Sequence, residues 1–279
     1  MTALRRLERA VDLDHGDHVA WAYEDRADLR TVLADTFTEA AGRGEQLVYV
    51  GNRHPAALCD DLADLDGRDA MLENGRLRLH SIAELYHATG RFEPRAQVET
   101  FRAEAQRAVS AGYHGLRVVG DVTDLVTDAA GHAAFVDYEL ALEAMYAVTP
   151  VTGICAFDRH RVGEQWREIA ALHRLQRAVG QEPGFALTYA SGAVRLFGEL
   201  DASSAAEFRR LLDAVLAATT GVLEVDLDRL DFIDVSASRV LAEARETMAC
   251  ANRDLQLTGV RRAAVLPLAA FNLHGGAPR

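Results

Sequence analysis

The sequence predicts an α/β protein in two parts: an N-terminal doubly wound parallel sheet, then a smaller α/β domain. Three observations carry this. Through residue 178, short apolar runs of strand length alternate with stretches of helical apolar spacing, the rhythm of a parallel sheet covered by helices. Gly180-Gln-Glu-Pro-Gly184 then breaks both periods. Beyond it an alternating hairpin opens a differently ordered region, and 279 residues exceed one ordinary domain. The expected boundaries are 1–179 and 185–273, with 180–184 a linker and 274–279 a disordered tail.

The elements follow in order. A short amphipathic lead (Leu4, Leu7, Val11) precedes the strand His18-Val-Ala-Trp-Ala-Tyr23, and Leu29, Val32, Leu33 and Phe37 mark a helix over 27–42, ended by Gly42 and Gly44. A buried-type strand over 46–50, a helix over 55–65 and a strand over 77–80 come next, then a polar turn around Gly90 and Pro94. Helices over 96–111, 131–147 and 163–178 alternate with strands over 116–119 and 151–157. These five strands place ligand binding at their carboxyl ends, marked by Tyr23, Gly51, Asp121 and Asp158. In the second part, strands over 185–190 and 194–197 flank Ser191-Gly192. A helix over 203–218, a strand over 222–227, a helix opening at Ser236, a strand over 255–258 and a helix over 261–272 complete it.

Composition removes several functions. The net charge is -12, with 30 Lys and Arg against 42 Asp and Glu, and the basic residues are scattered, which disfavours nucleic acid as a partner. No run has the length of a signal peptide or a membrane span, so a cytoplasmic location without membrane attachment is expected. Cys59, Cys155 and Cys250 are isolated, which argues against disulfides and a structural zinc site; no cofactor and no metal is expected.

Residues 230–241, Leu-Asp-Phe-Ile-Asp-Val-Ser-Ala-Ser-Arg-Val-Leu, end a strand in Asp234 and start a helix at a small hydroxyl residue. The first turn of a helix has unpaired N–H groups and partial positive charge, so a phosphate on Ser236 is favoured there. Capping by Asp234 or Ser236 is the competing explanation. Together with Gly198-Glu-Leu-Asp201 and the order hairpin, helix, strand, helix, strand, helix, this stretch resembles the STAS domain of anti-sigma factor antagonists over 184–273. The resemblance implies a serine phosphorylated by a partner anti-sigma kinase. Asp234 and Ser236 match the family's Asp and phosphorylated Ser, while Val235 and Ala237 stand where it has Ser and Gly. It also implies a partner surface of Asp201, Asp234, Ser236 and Ser238, with Ser238 a second, weaker phosphoacceptor.

In the first part, Gly16-Asp-His18-Val-Ala-Trp-Ala-Tyr23-Glu, Gly42-Arg-Gly-Glu45 before Leu-Val-Tyr-Val-Gly51, Tyr138-Glu139 and Ile154-Cys155-Ala-Phe157-Asp158-Arg, with His173 downstream, resemble the MEDS sensory domain over 12–178. That family is proposed to sense small hydrocarbon derivatives, which implies a ligand site drawn from His18, Tyr23, Glu139, Cys155 and His173. Imidazole and thiolate suit a soft metal or a polar ligand, although their spacing matches no zinc signature. The pattern is also similar to a RecA-type ATPase core, but Tyr23-Glu-Asp-Arg-Ala-Asp-Leu-Arg30 has none of the glycines, Lys or Ser/Thr of a phosphate-binding loop.

The expected function is therefore a non-enzymatic signal-transduction regulator. Its first part senses a small molecule and its STAS-type part binds an anti-sigma factor or serine kinase of the switch-protein type. The alternatives are a non-sensing interaction scaffold and a nucleotide-binding enzyme of RecA-like fold.

Overall fold

A computed structural model describes residues 3–86, 92–180 and 182–273. They fall into two compact bodies. One holds the described residues of Arg6–Trp166 with Leu175–Val179; the other holds residues 3–5, Arg167–Arg174 and the described residues from Gly180 to Leu273.

The strands of the first sheet are β1 (Arg5–Leu7), β2 (His18–Tyr23), β3 (Gln46–Gly51), β4 (Leu77–Ser81), β5 (Leu116–Asp121), β6 (Val151–Asp158) and β7 (Leu175–Arg177), in the order β1-β7-β2-β6-β5-β3-β4. The pairs from β7 to β4 are parallel. Strands β2, β3 and β5 are buried along their whole length, which is why they read as continuous apolar runs. Side chains alternate between the two faces. Val19, Trp21 and Tyr23 of β2 join Val119, Ile154 and Ala156 in one core with Leu29, Leu33 and Phe37 of the helix Arg26–Gly42. His18 of β2 and Cys155 of β6 have the opposite parity and lie on the other face, where the helix Ala129–Tyr146 supplies Glu139.

The fold class is as expected, with seven strands in this sheet rather than five. The single helix over 163–178 is corrected: a short helix Arg159–Val162, a 3-10 turn and the helix Trp166–Ala171 precede strand β7. Leu172 and Leu175 satisfy helical spacing, but Leu175 and Gln176 pair with Val19 and Ala20, and sheet pairing overrides a short periodic signal. The amphipathic lead contains β1. The helix over 55–65 breaks after Leu58 into a 3-10 turn, Cys59–Leu62. Short helices at Arg68–Glu73 and Ile82–Leu85 were not expected. The turn at Gly90, Gln181 of the linker and the tail over 274–279 lie outside the described residues.

The second body contains a sheet of β8 (Phe185–Ala190), β9 (Ala193–Leu200), β10 (Leu223–Ile233) and β11 (Leu255–Thr258), ordered β11-β10-β9-β8. β8 and β9 form an antiparallel hairpin, and β10 runs parallel to both of its neighbours. Ser191 and Gly192 both have positive φ, as a tight two-residue hairpin turn requires. Gly198 is also in the left-handed region, and a Cβ there would lie 2.3 Å from the Gly184 carbonyl oxygen, so no larger residue fits. The helices Ala205–Ala218, Val235–Cys250 and Arg262–Ala269 complete the body. Within it Arg167 bonds Glu207 at 2.9 Å, and buried Glu168 pairs with Arg210.

Candidate functional site

On the helix-covered face of the first sheet, three buried polar side chains converge from three elements. His18 begins β2, Cys155 lies within β6, and Glu139 projects from the helix Ala129–Tyr146; they are 6 %, 8 % and 4 % exposed. His18 Nε2 is 3.3 Å from Cys155 Sγ and 3.5 Å from Glu139 Oε2, and the Cys155 thiol donates to Glu139 Oε1 at 3.5 Å. The Tyr146 ring stacks on His18, with centroids 4.5 Å apart and planes 19° from parallel. Gly153, the register partner of His18, makes this possible: a Cβ there would fall 1.8 Å from the Tyr146 hydroxyl.

Burial dominates the electrostatics of the triad. It pushes the Glu139 carboxyl up to about 8 against the lowering effect of the Cys155 hydrogen bond, and pushes the Cys155 thiol well up, reinforced by the Glu139 charge. Beside Cys155 is a cavity of about 20 Å³, bounded by Tyr86, Tyr138, Met145 and Tyr146 among others, enough for a guest near the size of a water molecule. Tyr86, Phe92, Phe101 and Tyr138 pack edge-on or tilted around its wall. Its wall is part aromatic and part aliphatic, and Cys155 is the member of the triad that lines it.

Tyr23 is not part of this cluster. Five residues further along β2, it lies roughly 16 Å away by strand rise and on the opposite face. Its hydroxyl donates to both Asp121 carboxylate oxygens at 3.1 Å. Arg26 binds Asp121 at 3.1 Å and lies 3.6 Å from Asp61, which also accepts from Tyr49 at 2.9 Å and pairs with Arg53. Thus the carboxyl ends of β2 and β5 carry a closed ionic network, with an arginine between two carboxylates. At the start of the helix Arg26–Gly42 the Asp25 carboxylate accepts from the Asp28 N–H at 2.9 Å, occupying a backbone donor that a phosphate would need.

His173 belongs to the segment Arg167–Arg174 of the second body. It is 1 % exposed, its Nδ1 lies 2.9 Å from the Ile169 carbonyl oxygen, and burial lowers its pKa to about 4.

The predicted partner residues of the second body gather at the ends of β9 and β10. Ile233 pairs with Leu200, and the Asp234 N–H donates to the Leu200 carbonyl at 2.9 Å, which sets Asp201 and Asp234 on neighbouring strand ends. Asp201 accepts from the N–H groups of Ser203 and Ser204 and from both hydroxyls at 2.7–3.2 Å, and these bonds, led by the Ser203 hydroxyl, hold its carboxyl below the ordinary range. Asp234 caps the helix Val235–Cys250, accepting from the Ala237 N–H at 2.9 Å. Ser236 is partly exposed in the first turn, whereas Ser238 is fully buried, beyond reach of a kinase without local opening. Ala237 is also fully buried, so its methyl group does not obstruct the surface; Phe232 and Val235 are exposed there. In the sequence Val235 stands out only as a departure from the family motif and Phe232 not at all, although their alternation with buried Ile233 and the capping Asp234 signals an exposed apolar pair.

No described helix is long and apolar enough to cross a membrane. Among known families, residues 17–174 match the model described as MEDS, the methanogen/methylotroph, DcmR sensory domain, over more than half of the chain. Residues 184–275 match a model described as Mlab, STAS domain. A search of curated proteins finds no match.

Proposed function

Because the chain belongs to the MEDS sensory-domain family and continues into a STAS domain, we propose that it is a regulator in which the first domain detects a small molecule and the second binds a protein partner of the anti-sigma type. The observation that carries this is the pairing of the two domains on one chain. A signalling role follows from that pairing at the coarse level, and the sites give it particulars.

For the first domain, the buried triad and its aromatic cavity support a ligand of one or very few heavy atoms with at least one polar atom. For the second, Ser236 beside the cap Asp234 supports a phosphorylation switch: about 1.5 to 2 added negative charges next to Asp234 and the exposed Phe232 and Val235 would alter an apolar contact surface without refolding the domain. No catalysis is proposed. Against a RecA-like reading, the Asp25 and Asp28 carboxylates take the Asp28 and Glu24 N–H groups after β2, and Tyr23 to Arg30 lacks the glycines, Lys and Ser/Thr of a phosphate-binding loop.

The test is capture of the partner by the full chain with wild type, Ser236→Ala and Ser236→Glu, read by mass spectrometry and quantified by titration. An anti-sigma factor or its kinase should bind wild type and Ser236→Ala and be released by Ser236→Glu. Equal binding by all three would reject the switch. Thermal shift of the same chain against one-carbon halides, alcohols and amines tests the sensing half.

A further inference from the structure

We propose that His18, Glu139 and Cys155 are protein ligands of a borderline-soft divalent cation of the zinc class. The inference deepens the proposed sensing site, and metal binding itself is tested separately.

The geometry is specific. Zinc bonds imidazole nitrogen and carboxylate oxygen at about 2.0–2.2 Å and thiolate sulfur at about 2.3 Å in a tetrahedron, which sets its ligand atoms roughly 3.3–3.7 Å apart. The three separations here are 3.3, 3.5 and 3.5 Å. The two 3.5 Å contacts end on different Glu139 oxygens, Oε2 from His18 and Oε1 from Cys155, so a turn of the carboxylate is needed to bring one oxygen into a face with the nitrogen and sulfur; the ligand atoms already lie within 4.8 Å of one another. The donor set selects the ion. One nitrogen, one sulfur and one oxygen are too few and too soft for calcium or magnesium, which take six or more oxygens, and suit zinc or cobalt.

The surroundings support the same assignment. The ligands come from two adjacent strands and the helix that covers them, so their backbones are fixed by the sheet. The Tyr146 ring stacked on His18, seated over Gly153, limits rotation of the imidazole, and such orientation by neighbours is a regular part of metal sites. Metal entry forms bonds to nitrogen, sulfur and oxygen, while the thiol and carboxyl protons pass to solvent. The spacing 18, 139, 155 fits no short motif, because β2 and β6 are adjacent in space and distant in sequence.

The experiment uses the full chain carrying Cys59→Ser and Cys250→Ser, stripped with chelator and titrated with cobalt(II). The expected result is a thiolate-to-cobalt charge-transfer band with tetrahedral visible bands, saturating at one cobalt per chain and displaced by zinc. Cys155→Ser should abolish the band, and Glu139→Gln and His18→Asn should weaken binding at least tenfold, with far-ultraviolet dichroism confirming folding. Absence of the band, or its survival in Cys155→Ser, overturns the proposal. Should a variant fail to fold, zinc must still raise the melting temperature of the stripped parent chain, and no rise overturns it equally.

Discussion

At Asp121 burial opposes ionisation. Burial raises its carboxyl above the ordinary value of 3.8, although Thr123, Arg26 and Tyr23 all pull it down. The folded protein therefore holds this proton more tightly than the unfolded chain. The resulting stabilisation is fully present below the ordinary carboxylate value and is lost as pH rises through the folded one. Asp121→Asn, which cannot titrate, should accordingly gain on wild type as pH rises from about 4 to about 7; a urea-midpoint difference that does not change with pH would contradict this. Asp234 and Ser236 separate by a second measurement. Asp234 makes the capping bond to Ala237, whereas the Ser236 hydroxyl makes no hydrogen bond among the described residues. Asp234→Ala should cost about 1 kcal/mol of stability and Ser236→Ala less than about 0.5 kcal/mol, by denaturant titration. A large loss from Ser236→Ala would make that serine a structural residue and weaken its case as a switch.

Between elements, the tightest constraint joins the helix Ala129–Tyr146 to β6. Gly153→Ala places a methyl group against the Tyr146 hydroxyl and should cost about 1–3 kcal/mol as overpacking. Tyr146→Phe removes the closest atom of that clash, so the double variant should lose less than the two single losses added together; strict additivity would show that the ring does not bear on Gly153. Elsewhere β5 is tied to the end of the loop before β3 by the buried pair Arg117–Glu45, with bonds of 3.0 and 3.1 Å. Glu45→Gln strands a buried guanidinium and should cost about 3–5 kcal/mol, while Glu45→Leu with Arg117→Met should recover most of it. The sheet's central strands were legible in the sequence because β2, β3, β5 and β6 are predominantly apolar runs of strand length. β7 was not: three residues are too few to show a period, and its strand character comes from the free edge of β2. The triad was legible only through the family resemblance, which grouped its three residues with Tyr23 and His173. Sequence spacing carries no record that parity sends His18 and Cys155 to one face and Tyr23 to the other.

At the scale of the molecule, a sensor and an effector on one chain are a regulator only if their two equilibria are linked. Linkage makes a quantitative demand: whatever factor a small ligand applies to partner affinity, the partner must apply to ligand affinity. A tenfold effect corresponds to about 1.4 kcal/mol of coupling, well within what one loaded site can transmit. We expect calorimetric titration of the partner into the full chain, with and without saturating ligand, to give dissociation constants that differ at least fivefold, and the reverse titration to return the same factor. Glu139→Gln should remove the difference in both directions while leaving the ligand-free partner affinity unchanged, since Glu139 lies in the first body and Ser236 in the second. Equal constants with and without ligand would leave two independent modules on a common chain, and a factor that differed between the two directions would mean that partner or ligand engages a site other than the one titrated.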